Sequence, residues 1–207
     1  MRALLGAVSV LLTASLGASQ IIEFELNGVK YQTMTRNGLT VMCAPLQTNV
    51  KDYGVLQAAI SNGSADLMPV APEDFFFIRP DGTTVRGMTA RTVVEDLMER
   101  GSRGDVVKLV SAYEASLYGM TRFRSSNGYE RRRQAFLAEV HSTKLKAAAA
   151  ASAIAFVPTK LIPGDSTDGA VFFANEGKPL GPGRLVVRNP AGDFEFPVDA
   201  PVRLPAP

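Results

Sequence analysis

The chain has 207 residues, and its 22 Lys+Arg against 20 Asp+Glu leave a net charge of +2, too little for a global field that would recruit nucleic acid or an anionic membrane. One cysteine and one histidine exclude an intramolecular disulfide and a His/Cys metal cluster. Stability therefore rests on an ordinary apolar core, and the length suits a single domain.

Residues 1–19, "MRALLGAVSVLLTASLGAS", place Arg2 before an apolar and small-residue run from Ala3 to Leu16 and small residues at Gly17, Ala18 and Ser19. That order is a secretory signal peptide with cleavage within 17–19. The run falls short of the roughly 20 apolar residues a membrane-crossing helix needs. The expected product is secreted, periplasmic or extracellular, with no transmembrane segment in the mature chain.

From Ile21 the pattern is β. Ile22, Phe24 and Leu26, then Val29 and Tyr31, then Leu39 and Val41 alternate with polar residues, and the run is cut at Asn27-Gly28 and Asn37-Gly38. Asn-Gly supplies the positive φ angles of a tight hairpin, so the segment reads as a meander. Val55 to Ser61 is a further strand, followed by a turn at Asn62-Gly63. Phe75 to Arg79 is a strongly apolar strand ending at Pro80-Asp81-Gly82. Pro69 and Pro72 donate nothing to a ladder, which puts their stretch at an edge or a crossing between sheets.

The period changes after Thr89, an N-cap residue. Val93, Val94, Leu97 and Met98 share one helix face that closes at Gly101, expected at C′. A second helix carries Val106, Leu109, Val110, Tyr113 and Leu117 on one face and ends at Gly119. A third runs from Asn127 to Phe156, about 40 Å long at about 1.5 Å per residue. Its thin stripe of Tyr129, Phe136, Val140, Ala147, Ala151 and Ile154 makes it a close-packing brace. Strands then return near Phe156 to Leu161, Ala170 to Ala174, Arg184 to Arg188 and Asp193 to Val198, and the Pro-rich residues 199–207 are expected to be a disordered tail.

Short strands with Gly/Asn turns bury half-apolar faces by stacking two sheets. The expected fold is mainly β with α: an antiparallel sandwich over 20–198 with a three-helix insertion at 88–155. The segments "AAISNGSADLMPVAPEDFFFIRPDG" and "LIPGDSTDGAVFF", with "RLVVRNPAGDFEFPV", resemble the uncharacterised bacterial secreted immunoglobulin-like β-sandwich domains. The resemblance is carried by Asn62, by Phe75 and Phe77 with Asp81-Gly82, by Pro163-Gly164 with Gly169, Val171 and Phe173, and by Phe194 and Phe196. It covers the β portion only. It implies an immunoglobulin-like fold and a cell-envelope or extracellular setting, with no shared catalytic residues.

Candidate chemistry is sparse. His141 sits off its helix's apolar stripe, as a solvated residue does, and Cys43 falls on the apolar face of "LTVMCAPL", as a buried thiol does. Ser166 lacks the G-x-S-x-G setting, and Asp165 and Asp168 read as a polar hairpin turn rather than a calcium loop. Glu73-Asp74 and Glu95-Asp96 are adjacent pairs, which do not face one another across a cleft. Neither a P-loop nor G-x-G-x-x-G occurs, and no cofactor or metal is expected.

The most distinctive polar feature is basic. Arg122, Arg124, Arg131, Arg132 and Arg133 gather near the start of the third helix, where guanidinium groups and free N–H donors favour anions. The last three fan across about 200° of the helix, so they do not all reach one ligand. The expectation is a non-catalytic binding or assembly module with an envelope protein partner. The alternatives are binding of an anionic glycan or lipid head group through these arginines, and an enzyme of unrecognised type. Nucleic acid is not an expected partner.

Overall fold

A computed structural model describes residues 20–26, 29–105, 107–108, 111, 148, 150–152 and 154–199. The expected signal peptide, all of the tail except Asp199, and most of the second and third helices lie outside the described residues.

The N-terminal strands form the expected meander: β1 (Ile22–Leu26), β2 (Val29–Arg36), β3 (Leu39–Val50) and β4 (Tyr53–Asn62), each antiparallel to the one before. Between β2 and β3, Asn37 and Gly38 adopt φ of 48° and 80°, the left-handed pair a type I′ turn demands. After β4 the chain leaves the sheet. The buried Asn62 amide donates to the carbonyls of Asp66 and Leu161 at 2.7 and 2.9 Å, and its oxygen accepts from Ser64. These bonds hold the crossing to the short ribbon of β5 (Met68–Val70) and β8 (Thr159–Leu161). Pro69 is accordingly confined to a two-stranded ribbon.

The second sheet has the order β11-β10-β6-β7, from β6 (Phe75–Ile78), β7 (Thr84–Arg86), β10 (Gly183–Asn189) and β11 (Gly192–Val198). The first has the order β1-β2-β3-β4-β9, with β9 spanning Ser166–Ala174. All pairings among these strands are antiparallel. The molecule is thus mainly β, in the β-sandwich-like class.

Alternation explains the core. Leu39, Val41 and Cys43 of β3, Leu56, Ala58 and Ile60 of β4, and Val171 and Phe173 of β9 meet Phe75, Phe77, Leu185, Val187, Phe194 and Phe196 of the other sheet in one cluster. Burying each Phe or Leu side chain favours folding by about 1.5–3 kcal/mol. A second cluster lies on the opposite face of the first sheet. There Leu46, Val50, Tyr53, Val55, Ala170 and Phe172 pack against Val93 and Leu97 of α1 (Ala90–Arg100) and against Ala151, Ile154 and Ala155. Strands β4 and β9 are therefore covered on both faces. Helical residues also occur at 103–105, 107–108, 111, 148, 150–152 and 154.

Helix α1 follows its sequence signals closely. Thr89 caps it by accepting from Thr92 N at 3.2 Å, and Val93 and Leu97 are fully buried. Two details differ. Met98 is 47 % exposed, at the far flank of the face that Val93, Val94 and Leu97 turn to the sheet. Gly101 has φ −63°, so the helix ends by turning into extended chain instead of a left-handed C′ residue.

Near residue 165 the structure corrects the expected polar hairpin turn. The turn closes at Pro163-Gly164, with Gly164 at φ 87°, and Ser166 and Asp168 already belong to β9, paired with Ser61 and Ala59. Asp168 is buried. Strand β4 supplies the ladder that a polar sequence alone does not announce.

Strand β9 ends its sheet, yet its free edge is occupied. Met88 N donates to Phe172 O at 2.9 Å and Phe156 N to Ala170 O at 2.8 Å. The second approach requires Gly169, where a methyl would lie 2.6 Å from the Phe156 backbone; beside the first, Gly87 leaves room for Pro72 O and the Val171 side chain. Replacing Gly169 by Ala should cost about 1–3 kcal/mol through overpacking, seen as a thermal midpoint lower by several degrees. The comparison is Gly104→Ala, whose methyl meets only Ser102 Oγ at 3.7 Å and should not lower the midpoint. Equal midpoints for the two variants would disprove the close approach at β9.

Candidate functional site

The expected anion-binding group, Arg122, Arg124, Arg131, Arg132 and Arg133, lies outside the described residues, as does His141. Among the described residues no group of three or more His, Cys, Asp or Glu side chains is placed to hold a metal ion.

The remaining candidates are held in structural roles. Cys43 points into the sandwich core opposite Ala58, and burial pushes its thiol well above the ordinary value. Asp74 bonds back to Ala71 N at 2.8 Å, and Glu73 lends its backbone carbonyl to Arg86. On α1, Glu95 pairs with Arg91 at 2.8 Å. Asp96 accepts from the Tyr53 hydroxyl at 3.0 Å and pairs with Arg100, which also reaches Asp52 at 3.0 Å. Burial, then the hydrogen bond and charge of Asp96, raise the Tyr53 phenol to about 12. This group clamps α1 to the start of β4.

A neighbouring clamp centres on Asp105. Its carboxylate accepts from Ser102 N at 2.8 Å, Ser102 Oγ at 2.6 Å and Lys51 N at 3.2 Å. Burial works to raise its pKa, but the Ser102 bonds, the Lys51 N–H and the Lys51 charge outweigh that and hold it below the usual carboxylate value.

Beyond the apolar cluster under α1, the outer face of the first sheet turns polar along β2, β3, β4 and β9. Residues paired in register share a face, which aligns Thr35, Thr40, Ser61 and Ser166 in one row and Thr33, Met42, Ala59 and Asp168 in the next. Hydroxyls bond across the first row, Thr35 to Thr40 at 2.9 Å and Ser166 to Ser61 at 3.0 Å. Beyond them Gln57 is buried. Its Oε1 accepts from Tyr31 OH at 3.3 Å, while its Nε2 has no hydrogen-bond partner among the described residues. Burial raises the Tyr31 phenol to about 12. An unmade bond of this kind costs about 1–3 kcal/mol.

The accessible feature of this sheet is β1. It pairs only with β2, and its other side is an edge with no strand beside it among the described residues. Ile22 is 60 % and Phe24 39 % exposed. The Phe24 ring stacks on Tyr31 at 5.3 Å between centroids, which holds its outer side toward solvent. Glu23 and Glu25 alternate with these apolar residues on the other face. Sequence alternation puts Ile22 and Phe24 on one face of a strand without showing that the face is exposed. The legible signal for an edge was the pair of glutamates within five residues, since charge on a strand discourages uncontrolled pairing.

Protein-family models, curated proteins and solved structures were compared with the chain, and none matches it.

Two outcomes are expected. Cys43 should resist a thiol reagent in the native protein and titrate as one thiol in denaturant; rapid native reaction would contradict its burial. The lowered pKa of Asp105 adds stability above the ordinary carboxylate range that is lost as pH falls through the lowered value. Asp105→Asn should therefore cost about 1.5–3 kcal/mol at neutral pH, and its stability should fall less steeply on acidification than that of the wild type. Parallel pH profiles in denaturant melts would refute this role.

Proposed function

We propose that the chain is an exported, non-catalytic binding or assembly module of the bacterial cell envelope or extracellular space, built as an immunoglobulin-like sandwich with a helical insertion at 88–155. The insertion reading is supported by its two described ends. Helix α1 and the helical residues near 151–154 both pack on the outer face of the first sheet, as a brace across that face would.

The observation that carries the function is the open edge of β1, with Ile22 and Phe24 exposed beside Glu23 and Glu25. Such an edge takes an added strand, main-chain hydrogen bonds supplying affinity and alternating side chains supplying selectivity. The glutamates select the partner. In an antiparallel pairing of two β1 strands centred on Phe24, Glu23 of each copy would face Glu25 of the other, a repulsive arrangement. On β2, Gln32 and Lys30 already meet them from one side, with Gln32 Nε2 2.6 Å from Glu23. The fitting occupant is an extended segment of another protein in which apolar residues alternate with Lys or Arg.

A labelled peptide alternating Val and Lys, titrated with the full chain by fluorescence anisotropy, tests this. Binding should weaken as salt rises and fall about tenfold or more in Glu23→Lys/Glu25→Lys, whose charges steer and align the partner. Phe24→Lys should weaken it too. Affinity unaffected by either change would sink strand addition at β1.

A further inference from the structure

The outer face of the second sheet carries a cluster that strand addition does not use. Phe76 stands near the middle of β6, in register with Val186 of β10 and Arg86 of β7. Two guanidinium groups come to its ring: the Cζ of Arg188 lies 4.6 Å and that of Arg86 5.6 Å from the ring centroid. Arg86 is fixed further by its Nε, which donates to Glu73 O at 2.6 Å.

The acidic groups on this face leave that pair with charge to spare. Glu195 is occupied by Arg184 at 2.6 Å. Asp193 lies across from Arg188 in register, but among the described residues Arg188 enters no ion pair. Asp74, whose carboxyl feels the field of Arg86, is bonded to Ala71 N. Two like charges gathered on one ring repel each other and are stabilised when an anion lies between them.

We propose that Arg86 and Arg188, laid on Phe76, form a binding site for an acidic polysaccharide, with one carboxylate, sulfate or phosphate group of the glycan taken by each guanidinium fork. An arginine held over a ring keeps its in-plane N–H donors for oxyanions, and the ring restricts its rotamers before the ligand arrives. Bidentate oxyanion recognition follows from the fork geometry. Ile78, half-buried on the same face, gives a sugar ring an aliphatic surface beside the charges, with Val186 buried beneath. Nucleic acid fits this face less well, because among the described residues Phe76 is its one aromatic side chain and two guanidinium groups already lie on it, leaving no platform for successive bases. The site is independent of the β1 edge and of Arg122, Arg124, Arg131, Arg132 and Arg133.

Affinity electrophoresis of the full chain through gels containing polygalacturonate, dextran sulfate, neutral dextran or poly-dT tests the proposal. Retardation is expected in the two acidic polysaccharides and not in neutral dextran, and it should fade with added salt. Arg86→Ser/Arg188→Ser should weaken it about tenfold or more. Arg188→Lys, which keeps the charge and the fold but loses the fork, should weaken it several-fold. Three results would overturn the site: no retardation of the wild type, equal retardation of the double variant, or loss caused instead by Arg122→Ser/Arg124→Ser/Arg132→Ser. Stronger retardation by poly-dT than by either polysaccharide, abolished in Arg86→Ser/Arg188→Ser, would likewise overturn it in favour of a nucleic-acid surface.

Discussion

The antiparallel ladder between β4 and β9, running from Tyr53↔Ala174 to Ser61↔Ser166, joins residues more than a hundred positions apart in the chain, and the other elements are arranged around it. Forming it means closing a long loop, whose entropic cost grows only slowly with length. The return is large because both faces of both strands are buried. Inward, Leu56, Ile60, Val171 and Phe173 meet the aromatic residues of the second sheet; outward, Val55, Ala170 and Phe172 meet α1 and the 151–155 segment. A single pairing thus creates the floor of two cores.

The same ladder explains how the sheet edges are managed. β9 would present an open edge next to the core, and the chain closes it with the segments entering and leaving the helical region, at Met88 and Phe156. Gly169 gives the space for the contact at Phe156, and Gly87, next to Met88, leaves room for Pro72 O and Val171. The edge of β11 is blunted by Pro197, and Arg36 reaches from β2 to Asp193 O at 2.6 Å to tie that edge to the first sheet. The β1 edge lacks such a cover among the described residues, which is why its exposure bears on function whereas that of an isolated surface Leu does not. Polar bonds around Asp105, Asp96 and Asn175 then fix loops to strand ends, with Asn175 accepting from Arg79 and donating to the carbonyls of Lys178 and Pro179.

Much of the strand inventory was legible from period and turn chemistry, because Asn37-Gly38 and Pro80-Asp81-Gly82 leave few backbone alternatives. Thr89 and the 93/97 spacing marked α1 for the same local reason. Strand β7 was not legible, since Thr84–Arg86 is short, polar and stabilised by its partner β6. The start of β9 was hidden likewise: "DSTDG" has turn composition and becomes strand because β4 supplies its hydrogen bonds. Of the candidate sites, the burial of Cys43 could be read from alternation. The exposure of Ile22 and the gathering of Arg86 and Arg188 on Phe76 could not, as strand order and cross-strand register decide both.

The sequence by itself determined the local grammar of this protein: where strands turn, where α1 starts, that one thiol faces inward, and that no disulfide within the chain shares the work of the core. These follow from backbone preferences and side-chain alternation within a few residues. Only the tertiary structure decided which strand is an edge, which faces are covered twice, and which charged side chains meet across strands. Those are properties of pairings between distant segments, and a period-two pattern is the same for a strand at the rim of a sheet and for one in its middle.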